Sequence, residues 1–258
     1  MLYMFLKKAF VAPLMKALYR HEVTGLQNLP QHGPAIIASN HLAFGDSIFI
    51  PLASPRQVNY LAKADYFTGT GIKGKIVKSF FTGVGQIPVN REGGTKSASA
   101  VELGLSALRD GKFLGIYPEG TRSPDGRIYR AKTGVARLAL ESKAPVIPVG
   151  QIGTSDVQPV GSNAVKLRKN GQKITVKTII GEPIDLSPYY DTKDSYETLR
   201  TVSDLILSEI QKLSQQEYVD VYASSVKNLM KKEGISAEEA VQKLTKKNNC
   251  ISCDEQRK

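Results

Sequence analysis

Residues 34–53 read Pro34-Ala-Ile-Ile-Ala38, then Ser39-Asn-His-Leu-Ala-Phe-Gly-Asp46, then Ser47-Ile-Phe-Ile-Pro-Leu-Ala53. The first part is a short apolar run, which is typical of a buried strand. The residues from 46 to 53 predict a helix. A strand, a polar turn and a helix in succession form the repeating unit of α/β proteins.

The same alternation continues along the chain. Short apolar runs, mostly β-branched or aromatic and bounded by Gly or Pro, predict further strands at 58–62, 85–89, 113–117, 146–149 and 173–180. Helices are predicted between them at 72–81, 95–110 and 133–142. We therefore expect an α/β sheet with parallel pairs and helices on its faces, and a functional site at the carboxyl ends of its strands.

Length and composition limit the class of protein. The chain has 258 residues and a mass of 28.2 kDa, enough for one large domain or two small ones. A mean hydropathy of −0.22 excludes a polytopic membrane protein, and 41% hydrophobic residues exclude disorder over the whole length. Cys250 and Cys253 are its two cysteines, which excludes a disulfide scaffold. They form a lone C-x-x-C with all histidines far upstream, so we expect no metal site.

The net charge of +11 belongs almost entirely to the first part of the chain. Residues 1–150 contain 19 basic and 9 acidic residues. A positive field of this kind suits nucleic acid, an anionic membrane surface or a phosphorylated substrate. Few aromatic residues interleave with the basic ones and no nucleic-acid-binding module is recognisable, so we do not expect a nucleic-acid partner.

The two ends of the chain predict helices. Residues 1–20 form a basic amphipathic pattern, with Pro13 expected to kink or restart the helix. This helix either lies in a membrane interface or packs on the protein's own core. Its apolar face would hold Phe10, Val11, Leu14, Met15 and Leu18, and its polar face Lys8, Lys16 and Arg20. Residues 191–258 predict a helical extension, in which Ser236 and Glu239 form a capping box.

His41 and Asp46 follow the first predicted strand and are five residues apart. An aspartate that accepts a hydrogen bond from one ring nitrogen leaves the other nitrogen free to take a proton. This pair is therefore a candidate general base with its orienting carboxylate. The spacing alone leaves a second interpretation open, in which His41 is structural and Asp46 caps the next helix.

Cationic residues follow three other predicted strands. The turn Pro118-Glu-Gly-Thr-Arg122 after strand 113–117 combines a guanidinium, a hydroxyl and backbone N–H groups, which is a chemistry that binds phosphate. Arg91 follows strand 85–89 and Lys63 follows strand 58–62. The alternative is that the turn at 118–126 is a solvated basic loop.

Gly69-Thr-Gly71-Ile-Lys-Gly74 matches the G-x-G-x-x-G pattern of dinucleotide-binding proteins. That fingerprint requires a strand running directly into the glycines, and here residues 64–68 intervene. We therefore interpret it as a glycine-rich loop before a helix.

Four sequence blocks occur in order: Asn40-His41 with Asp46, Gly85-x-Ile87-x-Val89-x-Arg91, Tyr117-Pro-Glu-Gly-Thr-Arg122-Ser123, and Val146-Ile-Pro-Val149. Together they resemble the motif blocks of the glycerolipid acyltransferases, the PlsC-like family that includes bacterial 1-acyl-sn-glycerol-3-phosphate acyltransferases. Four ordered blocks are far more specific than any single one. The resemblance implies a glycerol-3-phosphate acyltransferase-type sheet flanked by helices. It divides the chain into a membrane-interface helix at 1–20, an acyltransferase domain at 21–190 and a helical extension at 191–258.

The resemblance also implies roles for the candidate residues. His41 would be the general base and Asp46 its partner. The phosphate of the acceptor would be bound by Lys63, Arg91, Glu119, Gly120, Thr121 and Arg122. Ala43 and Asn90 stand where many members have Ser and Asp, which leaves the preference among acceptors open.

The implied reaction moves a fatty acyl group from acyl-CoA or acyl carrier protein to the sn-2 hydroxyl of 1-acylglycerol-3-phosphate, which forms phosphatidic acid in phospholipid biosynthesis. A thioester is already activated, so we expect neither a cofactor nor a Ser or Cys nucleophile. The lipid substrates imply a peripheral or monotopic protein on an anionic surface, at the cytoplasmic face of the cell membrane. Two alternatives remain: another acceptor (glycerol-3-phosphate, a lysophospholipid or a monoacylglycerol), or a non-catalytic lipid-binding protein.

Overall fold

A computed structural model describes residues 2–63, 71, 74, 85–89, 96–162 and 164–255. The helix expected over 72–81 lies almost entirely outside these residues. The described strands, numbered along the chain, are β1 Arg20–Thr24, β2 Ala35–Ser39, β3 Val58–Lys63, β4 Ile87–Val89, β5 Phe113–Ile116, β6 Ile128–Tyr129, β7 Val146–Ile152, β8 Arg168–Lys169, β9 Gln172–Lys173, β10 Thr175–Ile180 and β11 Tyr218–Val219.

The described helices alternate with these strands. They are α1 Leu2–Leu6, α2 Ala12–Leu18, α3 Asp46–Ala53, α4 Lys96–Arg109, α5 Gly134–Ser142, α6 Thr154–Val157, α7 Tyr196–Ser214, α8 Ala223–Glu233 and α9 Ala237–Glu255. A π-helical turn, Lys7–Val11, joins α1 to α2, and short 3-10 turns occupy Leu26–Asn28 and Ser187–Thr192.

Seven of the strands form one sheet in the order β1-β10-β7-β2-β5-β3-β4. The pairs from β7 through β2, β5 and β3 to β4 are parallel, which confirms the expected parallel core. β10 is antiparallel to β7 and is paired in parallel with β1. Two small two-stranded sheets pair β6 with β11 and β8 with β9.

The core lies on both faces of this sheet because alternate side chains of a strand point to opposite sides. In β2, Ile36 and Ala38 face a cluster formed with α4, α5 and α7, whereas Ala35 and Ile37 face a second cluster on the other side. All four side chains are buried. A strand that is buried on both faces explains why its sequence is continuously apolar.

Helix α7 belongs to this core although the sequence assigns it to the C-terminal extension. Leu199, Val202, Ile206 and Ile210 recur at helical spacing and are all buried in the cluster on the first face of the sheet. Packing is therefore continuous across residue 190. The division into three parts stays a prediction.

The N-terminal helix contacts the domain through only part of its apolar surface. Pro13 lacks the N–H that an α-helix needs, and the chain widens into the π turn ahead of it, where Ala12 N donates to Lys7 O. Met15 and Leu18 pack against a buried cluster, while Phe10 and Leu14 remain 61% and 58% exposed. The single expected apolar face is thus divided between the core and the exterior.

Arg20 does not lie on this helix, because the helix ends at Leu18 and Arg20 begins β1. None of the helices in the described part of the chain is long and apolar enough to cross a membrane.

The last two helices form a separate small cluster. Val226 of α8 and Ala240 of α9 are fully buried with Tyr129 of β6. The predicted capping box is present, because Ser236 N donates to Glu239 Oε2 at 2.8 Å and Glu239 N donates to Ser236 Oγ at 3.2 Å. Strand β11 pairs in parallel with β6, which ties this extension to the loop that follows β5.

Candidate active site

The candidate residues meet at the carboxyl ends of two neighbouring strands. His41 follows β2, and the loop containing Glu119 and Arg122 follows β5. The two strands are parallel, with Ala38 opposite Ile116. Both segments therefore leave the sheet at the same edge, and Ser123 N donates to His41 O at 2.7 Å. The structure thus places His41 and the loop from Glu119 to Arg122 at one edge of the sheet, and their role as a functional site stays a prediction.

His41 and Asp46 form a hydrogen-bonded dyad. Nδ1 of His41 lies 2.9 Å from Oδ2 of Asp46. The same oxygen accepts hydrogen bonds from Leu42 N at 2.7 Å and Ala43 N at 2.8 Å, and Asp46 is fully buried. A carboxylate accepts but does not donate, so Nδ1 carries the hydrogen and Nε2 of the neutral ring keeps its lone pair.

The structure also bears on the other interpretation of this pair. Asp46 is the first residue of α3, but no side chain caps the N-terminus of that helix, and the carboxylate faces the preceding turn instead. The His41 side chain is 16% exposed, so it is not sealed inside the core. This arrangement favours the base and its orienting carboxylate over a helix cap.

A stack of aromatic rings fixes the orientation of the imidazole. The ring of Tyr117 lies parallel to that of His41, with centroids 3.8 Å apart and an interplanar angle of 8°. Tyr60 stacks behind Tyr117 at 5.5 Å, and Ser47 Oγ lies 2.8 Å from Tyr117 Oη. Burial raises the pKa of Tyr117 well above its usual value, so this ring stays neutral. Gly115 leaves room for the stack, since a Cβ there would lie 2.3 Å from the Tyr60 ring.

Glu119 occupies a different position from the predicted contact with phosphate. Its side chain is 1% exposed, and both carboxyl oxygens accept backbone hydrogen bonds, Oε1 from His41 N at 3.2 Å and Oε2 from Tyr129 N at 2.9 Å. Burial is the largest cause that raises its pKa to about 8. Both oxygens are thus occupied by backbone N–H groups inside the protein, and the carboxyl group joins the turn that contains His41 to β6. The geometry therefore favours a positioning role for Glu119.

The rest of this loop faces the exterior. Gly120 has a positive φ of 72°, which favours glycine, and Gly120 N donates to Tyr117 O at 2.9 Å. Arg122 is exposed, and Thr121 Oγ1 accepts a hydrogen bond from Lys227. The roles of Gly120, Thr121 and Arg122 in binding phosphate stay predictions.

Of the predicted phosphate-binding residues, Lys63 is described only in its backbone, and Arg91 is not among the described residues. Lys63 is the last residue of β3, at the same edge of the sheet as His41, and its backbone pairs with Val89. The side chain of Lys63 and the whole of Arg91 lie outside the described residues. Their predicted contacts with phosphate are therefore untested.

A cleft of about 210 Å³ opens at this edge of the sheet, next to the turn that follows β2. Its walls include Leu42 from the turn after β2, Arg122 from the loop after β5, the segment 158–162, and Lys227 and Met230 from α8. Gln158 also accepts a hydrogen bond from Phe44 N at 3.0 Å.

Sequence reasoning missed Gln158 and Lys227. They lie outside every motif, and Lys227 is 106 residues from its partner Thr121. In the described part of the chain, no group of His, Cys, Asp and Glu side chains is arranged to hold a metal ion.

Comparison with known proteins identifies the family. Residues 20–151 match the acyltransferase family. A chloroplastic 1-acyl-sn-glycerol-3-phosphate acyltransferase of Brassica napus is 26% identical over 183 residues, which cover 70% of this chain and 52% of the relative. A 1-acyl-sn-glycerol-3-phosphate acyltransferase of Bacillus subtilis is 28% identical over 196 residues, covering 76% of this chain and 88% of the relative. The chain spans about half the length of its chloroplastic relatives.

The fold has a solved counterpart. The crystal structure of the 1-acyl-sn-glycerophosphate acyltransferase PlsC from Thermotoga maritima matches with a TM-score of 0.61 at 22% identity, covering 82% of this chain and 79% of that one. This match confirms the predicted fold, a central sheet flanked by helices. Since the family match spans half of the chain and includes both the dyad and the Glu119–Arg122 loop, this protein belongs to the acyltransferase family of enzymes.

Proposed function

We propose that this protein moves a fatty acyl group from a thioester to the sn-2 hydroxyl of a 1-acylglycerol-3-phosphate, which forms phosphatidic acid. One observation carries the proposal. The His41–Asp46 dyad lies at the same edge of the sheet as the loop after β5, whose exposed Arg122 lines a cleft together with Leu42, the residue next to His41. A base and an anion-binding group on one edge suit an acceptor with a hydroxyl to activate and a phosphate to hold. The names of the relatives agree with this acceptor.

In the proposed reaction, Nε2 of His41 takes the proton of the acceptor hydroxyl as its oxygen attacks the thioester carbonyl carbon. Asp46 stabilises the imidazolium that forms, through the 2.9 Å bond to Nδ1. The tetrahedral intermediate then collapses, the carbon–sulfur bond breaks, and the departing sulfur receives the proton from His41. The donor is an acyl-CoA or an acyl carrier protein, and the reaction needs no cofactor because the thioester is already activated.

The phosphate of the acceptor positions the hydroxyl. Arg122 supplies a planar guanidinium that matches phosphate in a bidentate geometry, and Lys63 and Arg91 belong to the same proposed group of cations. Held in this way, the hydroxyl reacts in what is effectively a unimolecular step.

We also propose that the protein works at an anionic membrane surface, on the cytoplasmic face of the cell membrane. Phe5, Phe10 and Leu14 expose large apolar side chains along the N-terminal helix. Lys173 Nζ donates to Lys16 O and Arg168 Nη1 donates to Leu18 O, which brings two more cations to the end of that helix. Apolar side chains beside cations are the composition of a helix that lies in a membrane interface.

A direct assay of the product tests the proposed function. Thiol release from palmitoyl-CoA and oleoyl-CoA is measured with 1-acylglycerol-3-phosphate, glycerol-3-phosphate and monoacylglycerol as acceptors, and mass spectrometry locates the new ester. The proposal predicts turnover with 1-acylglycerol-3-phosphate and a diacyl product. His41→Ala is the control and should lose about 10²–10⁴ in rate while it folds normally.

Other outcomes correct the proposal in defined ways. Turnover with another acceptor alone keeps the chemistry and changes the substrate. Acceptor-dependent turnover that survives in His41→Ala removes His41 as the base. If no coenzyme A thioester reacts, the same acceptors are tested with acyl carrier protein as donor, and failure there contradicts the enzymatic proposal.

A further inference from the structure

Lys227 of α8 reaches the loop that carries Arg122. Its Nζ donates a hydrogen bond to Thr121 Oγ1 at 3.2 Å. This contact joins the C-terminal extension to the catalytic edge of the sheet, across a sequence separation of 106 residues.

Strand pairing and buried side chains fix the position of helix α8, and with it the backbone of Lys227. Strand β11, just before the helix, pairs with β6, with Val219 opposite Tyr129. Ala223 and Val226, in the first turns of α8, are fully buried in the cluster that contains Tyr129. Because Tyr129 N donates to Glu119, one short strand connects the helix that bears Lys227 to the loop after β5.

The surroundings of Lys227 are those of an anion site. Lys227 and Arg122 line the same cleft, and neither takes part in a salt bridge among the described residues. Burial, followed by repulsion from Arg122, lowers the pKa of Lys227, although Glu119 acts in the opposite direction. An anion between the two cations relieves that repulsion and replaces lost solvation with charge-assisted hydrogen bonds.

We infer that Lys227 is a phosphate-binding residue, so that the C-terminal extension completes the acceptor site from outside the motif blocks. This inference rests on the proposed function for the identity of the acceptor and adds a residue to it. In this arrangement, the packing of α8 on the domain positions Lys227 at the acceptor site. The apolar Leu42 and Met230 border the same cleft, so the site offers a cationic end and an apolar wall to an acceptor that has a phosphate and an acyl chain.

The inference is tested by separating charge from packing. Lys227→Met keeps the length of the side chain and removes its charge, Lys227→Arg keeps the charge, and Lys232→Met removes an exposed lysine from the same helix as a matched control. In Lys227→Met, the KM for 1-acylglycerol-3-phosphate should rise about tenfold or more while kcat changes by less than about threefold. Lys227→Arg should recover most of the loss, and Lys232→Met should match the wild type.

A binding measurement tests the role of Lys227 without depending on which acceptor the protein turns over. The thermal midpoint is recorded with increasing sn-glycerol-3-phosphate, which stabilises any folded protein that binds it. The wild type and Lys232→Met should shift upward, and Lys227→Met should shift less at equal concentration. Equal shifts in the wild type and Lys227→Met, or no shift in the wild type, would overturn the inference. Turnover of only a neutral acceptor contradicts the proposed function, and this comparison still decides the role of Lys227.

Discussion

The hydrogen bond from His41 to Asp46 decides which nitrogen of the imidazole is available for chemistry. Oδ2 of Asp46 accepts this bond and bonds from two backbone N–H groups, whereas Oδ1 is buried and has no hydrogen-bond partner among the described residues. The carboxylate therefore does two things with one oxygen. It fixes the turn from Leu42 to Ala43, and it holds the proton on Nδ1 of His41.

This asymmetry makes Asp46→Asn an informative substitution. The amide oxygen can take the place of Oδ2 and keep all three bonds, while the amide nitrogen takes the unpartnered position of Oδ1. The tautomer of His41 is then retained, and only the negative charge that stabilises the imidazolium is lost. We expect kcat to fall about 10- to 150-fold, the worth of a charged hydrogen bond. A kcat equal to that of the wild type would show that the charge of Asp46 does not stabilise the imidazolium in the rate-limiting step.

Glu119 gives the protein a pH-dependent stability with a definite sign. Its pKa in the folded protein is about 8, against a value of 4.5 for an exposed carboxyl group, and burial is the largest cause. The folded state therefore holds this proton more tightly than the unfolded chain. The free energy of unfolding should fall as pH rises from about 4.5 to about 8, because the unfolded chain ionises first.

Urea unfolding of the wild type and Glu119→Gln between pH 4.5 and 9 checks this prediction. Burial, aided by Lys7, lowers the pKa of His21 to about 4, which acts in the opposite direction below pH 6.5, so the difference between the two proteins is the quantity to follow. That difference should favour the wild type at low pH and shrink as pH rises. Parallel profiles for the two proteins would show that Glu119 does not titrate in this range.

The positions of most strands can be predicted from local sequence, whereas the pairing between strands cannot. Runs such as Ala35–Ser39 and Val146–Ile152 are short, apolar and bounded by turn residues, so their positions are predictable. β1, with the sequence Arg-His-Glu-Val-Thr, is an edge strand and carries no apolar run. The antiparallel pairing of β10 with β7 likewise depends on long-range contacts that no local pattern encodes.

The same distinction applies to the candidate site, whose position can be predicted from the sequence while the orientation of its side chains cannot. The order of the sequence blocks predicts that His41 and Arg122 lie at one edge of the sheet, because parallel strands end together. It does not predict which side chains of a block turn inward. Glu119 points into the protein and Arg122 points out, and this difference follows from the backbone N–H groups that face Glu119. Lys227 comes from another element and belongs to no motif.

The N-terminal helix has two apolar surfaces, one that packs on the domain and one that is exposed. Met15 and Leu18 pack on the domain, so deleting the whole helix would disturb the core as well as any membrane contact. Phe10 and Leu14 are exposed, and their double replacement by Ser should weaken co-sedimentation with phosphatidylglycerol vesicles at least about tenfold. The thermal midpoint should stay within about 2 °C of the wild type, since exposed substitutions cost little.

Vesicles of phosphatidylcholine alone provide the control for charge, and binding to the anionic vesicles should weaken as salt is added. Full co-sedimentation of the Phe10→Ser, Leu14→Ser protein with anionic vesicles would show that this helix is not the membrane contact.

For the molecule as a whole, the distribution of charge agrees with the arrangement of the site. The first 150 residues contain almost all of the net charge of +11, and they also contain the dyad and Arg122. The C-terminal residues are nearly neutral in sum, yet they bring Lys227 to the same cleft. In this account the sheet supplies the base, the surrounding loops supply the cations, and the positive domain attracts anionic lipid to both.

If cations at the same edge of the sheet as the dyad hold the phosphate of the acceptor, removing Arg122 should reduce the preference for a phosphorylated acceptor. The kcat/KM for 1-acylglycerol-3-phosphate is divided by that for monoacylglycerol, in the wild type and in Arg122→Ala. The substitution should lower this ratio about tenfold or more, chiefly through a higher KM for the phosphorylated acceptor. An unchanged KM and an unchanged ratio would contradict the claim that Arg122 binds the phosphate.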